Sequence, residues 1–135
     1  MTGIPVDNEC VSSFTSMKMQ RTNKFITFKI ADDQSAIVTD VMGGPDATHE
    51  DFINALPMNE ARYAVYHLNY ETKDGLPASK HIFIIWTGPS TKLRNRVIYT
   101  ASKEAIKNAI EIEREIQATD IDAIQYESIV ATIRR

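Results

Sequence analysis

The chain has 135 residues, of which 43% are hydrophobic and 24% are charged. This composition is typical of one globular domain and excludes a disordered or low-complexity chain, and the longest apolar run, Ile82 to Trp86, is far shorter than the roughly 20 residues of a transmembrane helix. The formal net charge of −3 argues against a general nucleic-acid binder, and the single cysteine, Cys10, excludes an internal disulfide.

The first half of the chain predicts two helices and two strands. Apolar residues at helical spacing predict a helix over residues 8–19. Alternating side chains predict strands over Phe25–Ile30 and residues 35–41. A capping box beginning at Thr48 then predicts a short helix that Pro57 ends.

The second half predicts a hairpin followed by mostly helical structure. Strands are expected over residues 62–70 and 81–87, with a long exposed loop between them. A long helix follows Gly88, and Ser102 in its middle marks a possible kink. A final helical region extends to about Ile133.

Residues 111–116 are ambiguous, because their propensity favours helix while the parity of their isoleucines admits a strand. The order of elements predicts an α/β or α+β domain, in which one central sheet is covered by helices on both faces. Residues 1–135 show no repeat or linker, so we expect a single domain.

Residues that could perform catalysis are not arranged for it. The three histidines, His49, His67 and His81, lack metal-ligand spacing. Cys10 lies at a predicted helix start, and buried cysteines are more common than catalytic ones. We therefore predict a binding module rather than an enzyme, with no catalytic residue, no metal and no cofactor.

Basic residues are concentrated in two stretches. Residues 92–107 contain five basic residues and one acid, and residues 10–31 contain four basic residues and no acid. A basic face on an acidic protein suggests an acidic partner, although solvated faces of ordinary amphipathic elements are the simpler explanation of a charge run.

Several segments together resemble the actin-depolymerising factor/cofilin family. The most specific is Arg94–Ile106, which is similar to the family's R/K-x-K/R-M-x-Y-A/T-S-S/T-K block. The segments 43–48 and 117–120 are most similar to the amoebal members called actophorins. The other similar segments are 56–66, 80–89 and the N-terminal region, where the matching residues are 3–7, 10–11, 14 and 17–18.

The resemblance implies the actin-depolymerising-factor homology fold, an α/β (α+β) domain with a mixed sheet. It resolves the ambiguity near residues 111–117 in favour of a late strand, and it implies a long helix kinked near Ser102. It also implies a protein that binds monomeric and filamentous actin and promotes filament depolymerisation and turnover. The contacts implied for monomer and filament are Thr2, Gly3, Ile4, Arg94, Arg96, Val97, Ser102, Lys103 and Ile106.

A second, filament-specific contact is implied at Lys80, Arg134 and Arg135. Two charged positions of that family site are occupied by Ala78 and Ala131, so weak severing is expected. The resemblance further implies inhibition by phosphoinositide lipids, and the residues assigned to this are Lys92, Arg94, Arg96, Lys103 and Lys107.

Thr2 occupies the position of the family's regulatory serine, where a phosphate would add about −2 charge and repel actin. We expect a monomer in the cytoplasm, associated with the actin cytoskeleton, that binds no nucleic acid. The alternatives are a coactosin-like protein that coats filaments without depolymerising them, a small-molecule enzyme of α/β type, and a nucleic-acid module using the basic stretch.

Overall fold

The computed structural model describes residues 4–112 and 114–134. Within them the chain alternates between helices and strands in the order that the sequence predicts. The elements are α1 (Asn8–Gln20), β1 (Phe25–Ile30), β2 (Ile37–Gly43), α2 (His49–Asn54), β3 (Ala61–Glu71), β4 (Pro77–Thr87), α3 (Leu93–Ile110), β5 (Glu115–Ala118), a 3-10 helix (Ile121–Ile124) and α4 (Tyr126–Arg134).

The five strands form one mixed sheet in the order β2-β1-β3-β4-β5. The pairs among β1 to β4 are antiparallel, whereas β5 pairs with β4 in parallel, with Ile84 opposite Ile116. The long β3–β4 ladder runs from Ala61 opposite Thr87 to Glu71 opposite Pro77. The predicted mixed sheet and its late strand are confirmed.

Each face of the sheet packs against its own helices, as expected from the sequence. Alternate strand residues, including Tyr63 and Phe83, meet α1 and α3 in one core. The opposite parity, including Tyr66 and Trp86, meets α2, the 3-10 helix and α4 in a second core. The indole N–H of the fully buried Trp86 donates to the Pro57 carbonyl at 2.6 Å, so the aromatic ring is buried without leaving its polar group unpaired.

The predicted boundaries at two turns are wrong, because backbone hydrogen bonds within each turn fix where the flanking strands begin and end. The β1–β2 turn extends to Ala36, whose carbonyl accepts from the Ala31 N–H at 2.9 Å, and β2 therefore begins at Ile37 rather than Ser35. The predicted long loop over residues 71–79 is instead a tight turn. The Thr72 N–H donates to the Leu76 carbonyl at 2.9 Å, and Gly75 adopts φ +80, which favours glycine.

The structure assigns α3 as a single helix that passes through Ser102. It begins at Leu93, several residues after Gly88, and ends where Glu111 adopts a left-handed conformation with φ 57. The helix thus stops before residues 111–116, and β5 starts only at Glu115.

Candidate functional site

The outer side of α3 carries an apolar stripe near its beginning. Leu93 is 76% exposed and Val97 is 58% exposed. They are four residues apart, so they lie on the same side of the helix, and the exposed Ala101 continues the row. Large apolar side chains left in solvent at helical spacing are a feature of partner surfaces.

Arg94 lies beside this stripe and is exposed. Its side chain makes no hydrogen bond or ion pair with any residue that the structure describes, and the same is true of Lys92. The helix start is also open, because Lys92 provides no side-chain cap. The free N–H groups and the two cations therefore make this end of α3 positive.

Arg96 has a different role from Arg94, because it holds the loop that leads into α3. Its Nε donates to the Thr91 carbonyl at 3.3 Å, and its Nη2 donates to the carbonyls of Gly88 and Pro89 at 3.2 and 3.4 Å. The guanidinium group thus supplies hydrogen-bond donors to loop carbonyls that belong to no helix or strand. Arg96 remains partly exposed, so it positions the loop and still presents charge.

Ser102 and Ile106 lie on the inner side of α3. Their exposed fractions are 1% and 0%, so neither offers surface to a partner in this structure. The reason is helical periodicity, since Ile106 follows Val97 by about two and a half turns and faces the opposite way. Tyr63 helps fix this inner side to the sheet, donating its O–H to the Tyr99 carbonyl at 2.6 Å. We therefore remove Ser102 and Ile106 from the expected contacts.

Lys103 and Lys107 both bind the Glu115 carboxylate of β5. Their Nζ atoms lie 2.9 and 2.8 Å from its two oxygens. Burial alone would raise the pKa of Glu115, but hydrogen bonds from Lys107, Lys103 and Gln117 lower that pKa to about 2. The second half of the basic stretch is thus largely neutralised inside the protein.

The N-terminal segment lies along the outer edge of β2. The Ile37 N–H donates to the Pro5 carbonyl at 2.8 Å, and the Asp7 N–H donates to the Ile37 carbonyl at 2.9 Å. Ile4 is partly buried against the core. Thr2 and Gly3 lie outside the described residues, as does Arg135.

Lys80 and Arg134 lie on the same side of the sheet. Lys80 is opposite Leu68, and both belong to the strand parity that faces α4. Arg134, at the end of α4, donates from Nε to the Glu71 carbonyl at 2.7 Å. Both residues are exposed, and both lie at the end of the β3–β4 ladder that extends beyond β5.

The exposure of Leu93 was not predicted, because an apolar residue at this position of a helix is equally consistent with the core. Met58 was also missed, and it is 40% exposed beside the same loop, its carbonyl accepting from the Ser90 N–H at 2.9 Å.

His49 connects three elements of the fold through its two ring nitrogens. Its Nε2 lies 2.7 Å from the Ile124 carbonyl, and its Nδ1 lies 2.9 Å from the Tyr66 hydroxyl. Because a carbonyl only accepts, Nε2 carries the proton and Tyr66 donates to Nδ1. The ring thus joins α2, β3 and the 3-10 helix.

Among the described residues no group of three His, Cys, Asp or Glu side chains is arranged to hold a metal. In the same residues no helix is long and apolar enough to cross a membrane.

The profile of the cofilin/tropomyosin-type actin-binding protein family matches residues 3–134. The chain belongs to this family. It is 36% identical to an actophorin of Entamoeba histolytica over 135 residues, which covers 99% of this chain and 97% of that protein. It is 34% identical to the actophorin of Acanthamoeba castellanii over 130 residues, covering 96% of this chain and 94% of that one.

Solved structures of the family confirm the fold. The crystal structure of Streptomyces griseoflavus cofilin superposes with a TM-score of 0.88 at 27% identity, covering 96% of each chain. Coactosin from Entamoeba histolytica also superposes, with a TM-score of 0.79 at 23% identity and coverage of 98% and 96%. This second likeness concerns the fold alone.

Proposed function

We propose that this chain binds monomeric and filamentous actin and promotes filament depolymerisation and turnover, acting as a single domain without enzymatic activity. The observation that carries the proposal is membership of the cofilin/tropomyosin-type actin-binding family over nearly the whole chain. The relatives at 33–37% identity are named actophorin or actin-depolymerizing factor. These names support the depolymerising activity in the proposal.

The first half of α3 is the proposed main contact with actin. Leu93 and Val97 would enter an apolar hollow of the partner and lose exposed apolar surface. Arg94 and Arg96 would meet acidic groups of actin and guide association. Thr2, Gly3 and Ile4 extend this contact, and Lys103 borders it. Ser102 and Ile106 support the helix from below.

The second proposed contact reaches a neighbouring filament subunit through Lys80, Arg134 and Arg135. Lys80 and Arg134 share one side of the sheet, which fits a common partner. Ala78 lies opposite Tyr70 on that same side, where the family has a basic residue. Ala131 is exposed on α4, where the family often has an acid. With two charges missing, the filament-specific contact should be weak. This supports the proposal that the chain binds monomers and severs filaments only weakly.

Co-sedimentation with filamentous actin over a range of protein concentrations tests the activity. Movement of actin into the supernatant supports depolymerisation. Actin that stays pelleted with this chain bound along it supports the coactosin-like alternative. The substitutions Ala78→Lys and Ala131→Glu should increase co-pelleting, and an unchanged pellet would count against the thinned filament contact.

The variant Val97→Asp tests the α3 contact, with Met42→Asp as a matched control. Met42 is 53% exposed on β2, close to the 58% of Val97, so both changes place one acid at an equally exposed apolar position. We expect Val97→Asp to weaken actin binding at least tenfold, because it places a negative charge in the contact. Equal loss in both variants would remove α3 from the proposal.

Regulation is proposed at two places. Phosphoinositide lipids would bind through Lys92, Arg94, Arg96, Lys103 and Lys107, with the first two contributing most because the others have partners inside the protein. Phosphorylation of Thr2 would repel actin. A Thr2→Glu variant should therefore bind actin more weakly than Thr2→Ala. The proposed state is a cytoplasmic monomer associated with the actin cytoskeleton.

A further inference from the structure

The β3–β4 hairpin extends beyond the rest of the sheet. The register of β3 with β1 ends at Tyr66, although β3 continues to Glu71. The register of β4 with β5 begins at Phe83, although β4 starts at Pro77. Among the residues that the structure describes, 68–82 therefore form a two-stranded extension. A pair of strands is only marginally stable by itself, so the orientation of this extension depends on what packs against it.

Two side chains of α4 bind the edge of β3 that β1 leaves open. The Tyr126 hydroxyl donates to the Asn69 carbonyl, and Arg134 Nε donates to the Glu71 carbonyl at 2.7 Å. The His67 N–H donates from the same edge to a backbone carbonyl just before β1, and alternate residues of an antiparallel strand point their backbone groups the same way. The carbonyls of residues 69 and 71 thus both point away from β4, about 6.7 Å apart. Side chains of α4 bond them there in place of a neighbouring strand.

The same helix packs against one face of the hairpin. Leu68 is completely buried in the second core, together with apolar residues of α4. Lys80 lies directly opposite Leu68 on β4 and is exposed. At this level of the hairpin α4 therefore covers β3 and leaves Lys80 accessible to a partner.

We propose that Tyr126 and Arg134 are positioning residues for the filament-specific contact. This inference rests on the proposed function, in which Lys80 of the hairpin and the end of α4 meet one neighbouring actin subunit. The two elements form one surface only when their relative orientation is fixed, and the bonds to residues 69 and 71 fix it. Arg134 thus acts through the hairpin backbone as well as through its charge.

The two bonds should affect orientation more than overall stability. Both are exposed to solvent, which limits their contribution to the free energy of unfolding. Their loss should lower the fraction of molecules whose hairpin is correctly oriented, and the observed filament affinity falls by that fraction. The contact on α3 should be unaffected, because α3 packs on the opposite face of the sheet from α4. A positioning role therefore predicts weaker filament binding with unchanged monomer binding.

The experiment measures binding of the full chain to filaments by co-sedimentation and to fluorescently labelled actin monomers. Tyr126→Phe removes the hydroxyl and keeps the ring, which contacts the His49 ring edge-on at 5.9 Å. It should weaken filament binding about threefold, the effect of one exposed hydrogen bond, while monomer binding stays the same. Tyr70→Phe is the matched control, since it removes a hydroxyl from β3 that bonds no described residue. Equal weakening by the two variants, or no weakening by Tyr126→Phe, would overturn the proposal.

Arg134→Lys separates the charge of this side chain from its bond to β3. Lysine keeps the positive charge and lacks the Nε–H that donates to the Glu71 carbonyl. We expect Arg134→Lys to weaken filament binding about threefold, and its combination with Tyr126→Phe to weaken it about tenfold. Filament binding of Arg134→Lys equal to that of the unmodified chain would show that only charge is used there, and it would remove Arg134 from the proposal.

Hydrogen exchange of the chain without actin tests the orientation of the hairpin independently. Amides of residues 68–82 should exchange faster in Tyr126→Phe than in the unmodified chain, while those of β1 stay unchanged. Unchanged exchange in the hairpin would overturn the proposal. Failure of the proposed function has a different signature, because it would appear in the unmodified chain as a loss of binding to monomers and filaments alike.

Discussion

Replacing Arg94 and Arg96 one at a time should show that Arg96 contributes to both stability and actin binding, whereas Arg94 contributes to actin binding alone. Arg96 makes three hydrogen bonds to loop carbonyls at 3.2–3.4 Å, whereas Arg94 makes none with described residues. Each such bond contributes roughly 0.5–1.5 kcal/mol, and these are long and partly exposed. We therefore estimate that Arg96→Ala costs about 1.5 kcal/mol of unfolding free energy.

That cost can be read as a melting temperature. A chain of 135 residues has an unfolding entropy of about 0.28 kcal/mol/K, from roughly 2.1 cal/mol/K per residue. Arg96→Ala should therefore lower Tm by about 5 °C, while Arg94→Ala should change it by less than about 2 °C. Both variants should weaken actin binding, Arg94→Ala by about fivefold as an exposed charge.

Arg96→Lys separates charge from geometry. Lysine keeps the positive charge but lacks the planar fork that reaches the carbonyls of Thr91 and Gly88 together. It should lose most of the stability that Arg96→Ala loses and retain more of the actin binding. Thermal unfolding followed by circular dichroism, with actin co-sedimentation of the same samples, measures both. An equal fall in Tm for Arg94→Ala and Arg96→Ala would refute the division of roles.

Three further predictions concern stability. Gly88→Ala should destabilise by about 2 kcal/mol or more in urea unfolding, because an added Cβ would lie 2.3 Å from the Met58 carbonyl oxygen; an effect below about 0.5 kcal/mol would contradict that contact. Glu115 has a pKa of about 2, below the usual 4.5, so the unfolded state binds more protons and stability should fall as the pH drops from about 5 to 2. Glu115→Gln should remove this dependence and cost about 2 kcal/mol at pH 7, discounted for the carboxylate's partial exposure. Burial lowers the pKa of His49, so the unfolding free energy should decrease as the pH falls below about 6.5, where a second ring proton breaks the hydrogen bond from Tyr66. The change in unfolding free energy between pH 7 and 5 should be smaller in His49→Gln. An unchanged pH dependence in this variant would exclude His49 as its source.

Elements with strong local signals were predictable from the sequence. The helix over 8–19 and the strand Phe25–Ile30 are confirmed within one residue, and the capping box at Thr48 has both of its hydrogen bonds. These signals are contained within a few neighbouring residues. The tight turn after Glu71 was not predictable in the same way, because pairing along eleven residues of each strand extends the ladder past the polar residues that suggested a loop.

The late strand needed information from outside its own segment. Local propensity favours helix through residue 116, yet Glu111 ends α3 in a left-handed conformation and β5 pairs in parallel with β4. Pairing with β4 places Ile116 and Ala118 in the core beneath the sheet, where their apolar side chains are buried. The resemblance to a known family supplied this tertiary context, which propensity lacks.

Exposure along α3 was likewise beyond the sequence. Leu93, Val97 and Ile106 have the same apolar chemistry, but packing leaves the first two in solvent and buries the third completely. A hydrophobic pattern identifies the apolar positions of a helix, but it does not show which of them pack on the sheet and which remain in solvent.

The basic stretch 92–107 is therefore two surfaces rather than one. At its beginning Lys92 and Arg94 are exposed beside an apolar stripe and an uncapped helix start, so their field reaches solvent. At its end Lys103 and Lys107 meet at Glu115 of β5, the strand that follows α3, and this carboxylate cancels part of their charge. Long-range attraction of an acidic partner should thus originate at the first half of α3, where apolar surface is also available for a close contact. The coincidence of uncompensated charge and exposed apolar side chains at one end of the helix is the physical reason for placing the main actin contact there.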